Sequence, residues 1–220
     1  MDRVCEPELM DDAEQALAYA QADFSAGDQA LVERLDQLFP AGLGARLLDL
    51  GCGPGNISFP LAQRHGQATV LGVDGAAAML TLARQQLQQH PLLQGRLDFQ
   101  QALLPCPGLA GGFSAVVSNS LLHHLHNPQV LWDALRQMGA PGACIYVKDL
   151  RRPSSSAAAE ELRQRYLAEA PPVLQRDYIA SLHAAFRPEE VQQQLAAAGL
   201  KGLRVEPLED RYLEVWGQLA

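Results

Sequence analysis

Cations are scarce in this chain. Lysine and arginine together number 17 of 220 residues, against 25 aspartates and glutamates, for a formal net charge of −8. Nucleic-acid binding usually rests on a basic face, so no nucleic-acid partner is expected unless the cations cluster. Cysteine is scarcer still: Cys5, Cys52, Cys106 and Cys144 lie far apart with no C-x-x-C spacing. That pattern reads as free thiols in a reducing compartment. No Cys/His cluster has zinc-ligand spacing, so no metal is expected. Long apolar runs are missing, which excludes a bilayer-spanning helix. The opening MDRVCEPELMDDAEQ is acidic and lacks the apolar stretch of a signal peptide. A cytoplasmic protein with no membrane partner is expected. Two nucleotide motifs are also missing. Without G-x-x-x-x-G-K-[ST], a nucleotide triphosphatase is disfavoured, and without G-x-G-x-x-G the dinucleotide fingerprint is unmet.

What remains is 48% hydrophobic and 19% charged, the balance of a globular chain. Its 220 residues suit one domain, 1–220, with added helical segments at 8–40 and 151–186. In PELMDDAEQALAYAQADF, Leu17, Ala20 and Phe24 recur at helical steps, and Gly27 is expected to end that helix. Asp28 is then expected to cap a second one, with Leu31, Leu35, Leu38 and Phe39 inward and Pro40 as the stop. From Leu47 the pattern changes. RLLDL, TVLGVD, LDF, FSAVVSN and ACIYVKD are short apolar runs, most followed by a stretch of helical period. Such alternation predicts a parallel sheet covered on both faces. Asn127-Pro128 predicts a helix start. RRPSSS opens a break in the alternation, filled by two helical stretches either side of Pro171-Pro172. Another helix begins at Pro188, and LRVEPLED and RYLEVWG close the chain as an antiparallel pair.

The stretch LLDLGCGPGN (47–56) puts three glycines in five residues directly after a strand. A parallel strand delivers the chain to the carboxyl edge of its sheet, where α/β proteins bind ligands. Glycines there let the main chain approach a bound molecule, and the following helix presents free N–H groups. Asp74 ends the second strand about 20 residues beyond the loop, the spacing at which an acid accepts from ribose hydroxyls. The same residue could serve instead as the cap of the next helix.

LLDLGCGPGN, VLGVDGAAAMLTLAR and FSAVVSNSLLHHLHNP together resemble the cofactor motifs of class I S-adenosylmethionine-dependent methyltransferases. The resemblance runs from residue 47 to 149 and implies a Rossmann-like seven-stranded sheet of order 3-2-1-4-5-7-6, with strand 7 antiparallel. It implies S-adenosylmethionine as cofactor and S-adenosylhomocysteine as product. Asp49, Gly51, Gly53 and Gly55, with Asn56, would surround the methionine end. Asp74 would bind the ribose, Gly75 and Met79 would flank the adenine, and Ser118 and Asn119 would lie beside the cofactor. Many members carry an aspartate after strand 3; here Gln101 stands near that position, next to Ala102, and its amide oxygen could accept the adenine amino group. Tyr19 and Phe24 would close over the cofactor from the first helix.

Methyl transfer is an in-line displacement, accelerated by holding the nucleophile aligned in a dry pocket. His123, His124 and His126 follow the fourth strand at the edge where an acceptor would sit, and a histidine there can take a proton or orient the acceptor. The spacing H-H-x-H has no carboxylate or cysteine beside it in the local motif, which argues against a metal. Asp149 is a further base or anchor, so His123, His124 and Asp149 are the catalytic candidates. His126, Arg151 and Arg152 are the candidates for holding the acceptor, the arginines because their forks grip carboxylate or phosphate. The expected activity is methylation of a small molecule in a pocket capped by the two helical segments, by a monomer or homodimer. A non-catalytic cofactor-binding module and an RNA or protein methyltransferase are the alternatives.

Overall fold

In the seven strands, apolar side chains alternate between two helical layers. A computed structural model describes the backbone of residues 1–220 and every side chain except those of Ala13 and Glu14. The strands are β1 (Arg46–Leu50), β2 (Thr69–Asp74), β3 (Leu97–Gln101), β4 (Phe113–Asn119), β5 (Gly139–Leu150), β6 (Leu203–Leu208) and β7 (Tyr212–Gln218). Their order is β3-β2-β1-β4-β5-β7-β6. Pairs among β1 to β5 are parallel, and β7 runs antiparallel to both β5 and β6. This is the expected sheet.

Period-two alternation divides the core. Leu47, Ala115, Val117 and Tyr146 face one layer, where they meet α2 (Ser25–Leu38), α3 (Ser58–Arg64) and α4 (Ala77–Gln88). Leu48, Val116, Ile145 and Val147 face the other, against α5 (Gln129–Met138) and α8 (Pro188–Ala197). Trp132 on α5 is fully buried there, and its indole N–H donates to Gln194 on α8. α1 (Ala13–Gln21) lies on α4 through Ala16, Ala76 and Met79. α6 (Ser156–Leu167) and α7 (Pro172–Ala184) pack together at the carboxyl end of β5, around Leu150, Leu162 and Leu182.

Two expectations near the N-terminus are corrected. Gly27 does not end a helix: it lies in the first turn of α2, which begins at Ser25 after Phe24. Nothing stands within 4 Å of where its Cβ would be, so glycine meets no packing demand there. Asp28 is consequently inside the helix rather than its cap, and its N–H donates to Phe24 O. At the start of α5, Pro128 is the flanking residue and the Asn127 side chain accepts from Gln129 N at 3.1 Å.

The first eight residues form an extended strap. Val4 N donates to His183 O on α7. Arg3 donates to the carbonyls of Ala184, His123 and Leu125, and its guanidinium lies 3.9 Å from the Phe186 ring centroid. The strap thereby crosses from α7 to the turn that follows β4.

Candidate active site

At the carboxyl edge of the sheet the chain leaves β1 and turns sharply. Gly51 N and Cys52 N both donate to Val73 O, at 2.8 and 3.1 Å, which draws the loop over the end of β2. Gly51, Gly53 and Gly55 have φ of 70°, 52° and 94°, the left-handed region that favours glycine. They do not share one reason for it. A Cβ on Gly51 would strike Leu121, and one on Gly55 would strike Phe59 and Phe99. At Gly53 nothing lies within 4 Å.

Asp74 ties this loop to the next helix. Its Oδ2 accepts from Gly53 N and its Oδ1 from Ala76 N, each at 2.8 Å. Each carboxylate oxygen keeps a further lone pair for an incoming donor. Burial raises its pKa, opposed by those backbone hydrogen bonds. Asp49, at β1, is buried and accepts from Ser58 Oγ at 2.6 Å. Burial pushes its carboxyl up to about 7, despite the Ser58 bond.

A cavity of about 820 Å³ opens from this loop. Its wall includes Tyr19, Phe24, Asp49, Gly51, Gly53, Asn56, Asp74, Gly75, Met79, Ala102, Asn119, His123 and His124 from the sequence-derived candidates. The rings of Tyr19 and Phe24 meet at a tilt of 40°, 4.9 Å between centroids. α1, α2, α6 and α7 each contribute to the wall.

Seven candidates lie outside that wall. Gly55 packs beneath Phe59 and Phe99. Ser118 is buried and donates to Leu50 O at 2.8 Å, so it joins two strands instead of meeting the cavity. Gln101 is exposed and donates to Gly75 O at 3.0 Å. His126 is exposed, its N–H held by Glu8 and its Nε2 2.7 Å from Glu6 O. Asp149 stands behind His123, one layer from the cavity. Arg151 and Arg152 are corrected as acceptor ligands. Their backbone N–H groups are clamped to Arg211 O and Phe186 O, and each guanidinium donates through its terminal nitrogens away from the cavity wall, its Nε unpartnered among the described residues. Arg151 donates to Glu209 O. Arg152 is buried, donating to Ala185 O and pairing with Glu190 on α8.

The histidines form a buried network. His123 and His124 sit in a short 3-10 turn, Leu122–His124, with ring centroids 4.2 Å apart. Asp149 accepts from Leu122 N and Leu150 N and lies 2.5 Å from His123 Nδ1. Glu6 arrives from the strap, its Oε1 3.5 Å from His123 Nε2 and 3.2 Å from His124 Nδ1. A carboxylate therefore does join the histidines, contrary to the local reading of H-H-x-H. Among the described residues, Glu6, His123 and His124 offer three atoms within 4.8 Å of one another, close enough to hold a cation. The ion pairing offers another use for them. Burial depresses the His123 pKa, but the Asp149 charge and hydrogen bond and the Glu6 charge outweigh it, and the net shift is upward. Asp149 satisfies Nδ1 by a hydrogen bond, while Glu6 stands within ion-pair range of Nε2 without bonding it. Burial and the neighbouring His123 hold His124 well below the usual histidine range, so it stays neutral.

Local reasoning missed several wall residues: Glu6, Asp28, Lys148, Tyr178, Arg211 and Tyr212. Lys148 carried a signal, a lone cation inside the apolar run ACIYVKD. Burial lowers its pKa, and burial raises that of Asp28 to about 7, with Lys148 opposing.

Residues 47–142 match a family model described as "Methyltransferase domain". A ubiquinone biosynthesis O-methyltransferase of Acinetobacter baylyi is 28% identical over 178 residues, covering 77% of this chain and 71% of that protein. A trans-aconitate 2-methyltransferase of Deinococcus radiodurans is 40% identical over 130 residues, covering 57% of this chain and 45% of that protein. Among solved structures, an S-adenosylmethionine-dependent methyltransferase from Aquifex aeolicus superposes with a TM-score of 0.66 at 16% identity, over 95% of this chain and 99% of that one. The plantazolicin methyltransferase BamL, solved with a triazolic desmethylPZN analog and SAH, gives 0.71 at 14%, over 94% and 91%. The structural likenesses establish the fold.

Proposed function

We propose that the chain is a class I S-adenosylmethionine-dependent methyltransferase that methylates a small molecule held in the cavity, a reading supported by the match of residues 47–142 to a methyltransferase family model and by its methyltransferase relatives. The observation that carries this reading is the sharing of one cavity by the glycine loop, Asp74 and His123. The names of two relatives, one acting in ubiquinone biosynthesis and one on trans-aconitate, support a small acceptor.

The residues present fit the cofactor. Gly53 leaves open space at the turn, and Asp74 ends β2 beside it with lone pairs to spare. Asp74 would hold the ribose, Gly75, Met79 and Ala102 the adenine, and Asp49, Gly51 and Asn56 the methionine end, with Tyr19, Phe24 and Asn119 alongside. When bound, S-adenosylmethionine supplies an electrophilic methyl group on a sulfonium. Gly55, Gln101 and Ser118 act on this site through packing and backbone hydrogen bonds instead of by contact.

His123 faces the cavity with Asp149 fixing its far nitrogen, the arrangement of an oriented general base. It accepts the proton of the acceptor's nucleophilic atom, or orients that atom where it carries none. Helices α1, α6 and α7, with the first turn of α2, serve as the cap that excludes water.

Calorimetry with S-adenosylmethionine, S-adenosylhomocysteine and NAD tests the cofactor, and a labelled-methyl metabolite screen tests the activity. Asp74→Ala should weaken binding by about 1.5–3 kcal/mol, the scale of hydrogen bonds to a charged group. Unchanged affinity removes Asp74 from the ribose site. Tight binding without methyl transfer to any metabolite would favour a non-catalytic module.

A further inference from the structure

Two cations in the cavity wall have no carboxylate partner among the described side chains. Six other arginines pair with one: Arg34 with Glu214, Arg64 with Asp36, Arg152 with Glu190, Arg163 with Glu160, Arg165 with Asp210 and Arg176 with Asp177. Arg211 and Lys148 do not, although both line the cavity. They meet aromatic faces instead. The Arg211 guanidinium lies 3.5 Å from the Tyr166 ring centroid and 4.8 Å from that of Tyr212. Lys148 Nζ lies 4.3 Å from the same Tyr212 ring. Stacking orients these cations without cancelling their charge. The hydroxyl of Tyr178 and Nε of Arg211 are buried side by side, close enough for the phenol oxygen to accept from the guanidinium, and neither is tied to a carboxylate. In a chain of net charge −8, these features together make a positive, donor-rich corner.

We propose that Arg211, Tyr178 and Lys148 form an anchor for a carboxylate on the acceptor, so that the substrate is a small carboxylic acid. The proposal rests on the methyltransferase reading. It transfers to Arg211 the part that sequence alone assigned to Arg151 and Arg152. Arg211 supplies a planar fork suited to a carboxylate, Tyr178 a hydroxyl proton free to donate and Lys148 a second charge. The glycine-loop end of the cavity is acidic, with Asp49 and Asp74 in its wall. That asymmetry orients the acceptor. Its anionic end turns away from the glycine loop toward Arg211, and its other end is left to face His123. A single negative charge suits this wall better than a doubly charged phosphate, because Asp28 and Asp177 also border the cavity.

The test uses a panel of small mono- and dicarboxylic acids, each paired with its primary amide, on the protein saturated with S-adenosylhomocysteine. Calorimetry on that complex reads binding, and labelled S-adenosylmethionine, added to separate protein free of S-adenosylhomocysteine, reads turnover. Acids should bind and be methylated in preference to their amides. Arg211→Gln should raise KM for the acid at least tenfold with a smaller change in kcat, as when uniform binding is lost. Its affinity for S-adenosylhomocysteine should hold, and Arg211→Lys should restore part of the loss. Thermal melts keep a folding defect separate, and Tyr178→Phe removes only one hydroxyl. Amides that bind as well as acids, no acid that binds, or an unchanged KM in Arg211→Gln would each overturn the anchor. If S-adenosylhomocysteine itself fails to bind, the methyltransferase reading falls, while acid-over-amide binding to the free protein still decides the anchor.

Discussion

His123 Nδ1 lies 2.5 Å from Asp149 Oδ1, with both groups buried. The pair joins the turn after β4 to the end of β5 and leaves the other imidazole nitrogen beside Glu6 at the cavity wall. His123→Gln should cut methyl transfer on the order of 10²-fold or more, the range of a lost general base, with S-adenosylhomocysteine affinity retained. The pH profile carries a sign. Burial lowers the His123 pKa, but the charges of Asp149 and Glu6 raise it overall, so the free base becomes available only above the ordinary histidine range. Asp149→Asn should therefore move the acid limb of the rate profile to lower pH while reducing kcat. The same pairing stabilises the fold while His123 is protonated. That contribution is full below the ordinary histidine pKa and is lost as pH rises through the raised one.

Gly53 and Gly55 should separate binding from folding. An added Cβ at Gly55 would meet Phe59 at 2.7 Å and Phe99 at 3.0 Å. Gly55→Ala should then cost about 1–3 kcal/mol from overpacking, on top of left-handed strain of about 1–2 kcal/mol. Gly53→Ala bears only the strain, but its methyl would enter the space open to the ligand. Thermal melts should rank Gly55→Ala as the less stable, and calorimetry should rank Gly53→Ala as the weaker binder. The reverse order in both would remove Gly53 from the cofactor's surface.

Asp49 predicts a proton released on binding. Burial holds its carboxyl up to about 7, and a cationic ammonium or sulfonium nearby would pull it down. Affinity for the cofactor should rise with pH up to about 7 and then level off. Calorimetry at neutral pH in two buffers of different ionisation enthalpy should show the release, and Asp49→Asn should abolish it. The stability sign is opposite to that of an ion-paired acid. The neutral carboxyl favours the fold below the ordinary carboxyl range, and this is lost as pH rises through about 7. Asp49→Asn should hold or raise Tm at pH 8 while weakening binding.

The helix α1 should close on ligand. It rests on α4 through the small residue Ala16 against Ala76 and Met79 and on α7 through a hydrogen bond from Gln15 to Asp177, yet Tyr19 lines the cavity. Few large anchors suit a segment that opens locally. Amide hydrogen exchange across residues 10–24 should slow on saturation with S-adenosylhomocysteine. Equal exchange with and without it would make α1 a structural helix only.

The glycine loop, Asp74 at its strand end and the alternation that builds a parallel sheet were all legible in the sequence. Each is a local pattern: a strand period, a turn composition, a spacing of about twenty residues set by one strand-helix-strand passage. Even the β6-β7 pair was visible, because a tight connection leaves its strands few other partners. What lay beyond reach were the contacts between distant segments. Nothing near Glu6 marks it as a partner of His123, since the strap reaches that histidine only by running along α7. Arg151 and Arg152 sit where acceptor ligands are expected, but the backbone clamps after β5 send their side chains to Glu209 and Glu190. Arg211 read only as the start of the last strand, beside Tyr212, and only the packing of α6 and α7 over the sheet edge adds Tyr166 and Tyr178 around it. Local periodicity determines which face of an element is buried. Which side chains then converge on a cavity depends on how those faces stack, and that was decided by the tertiary structure.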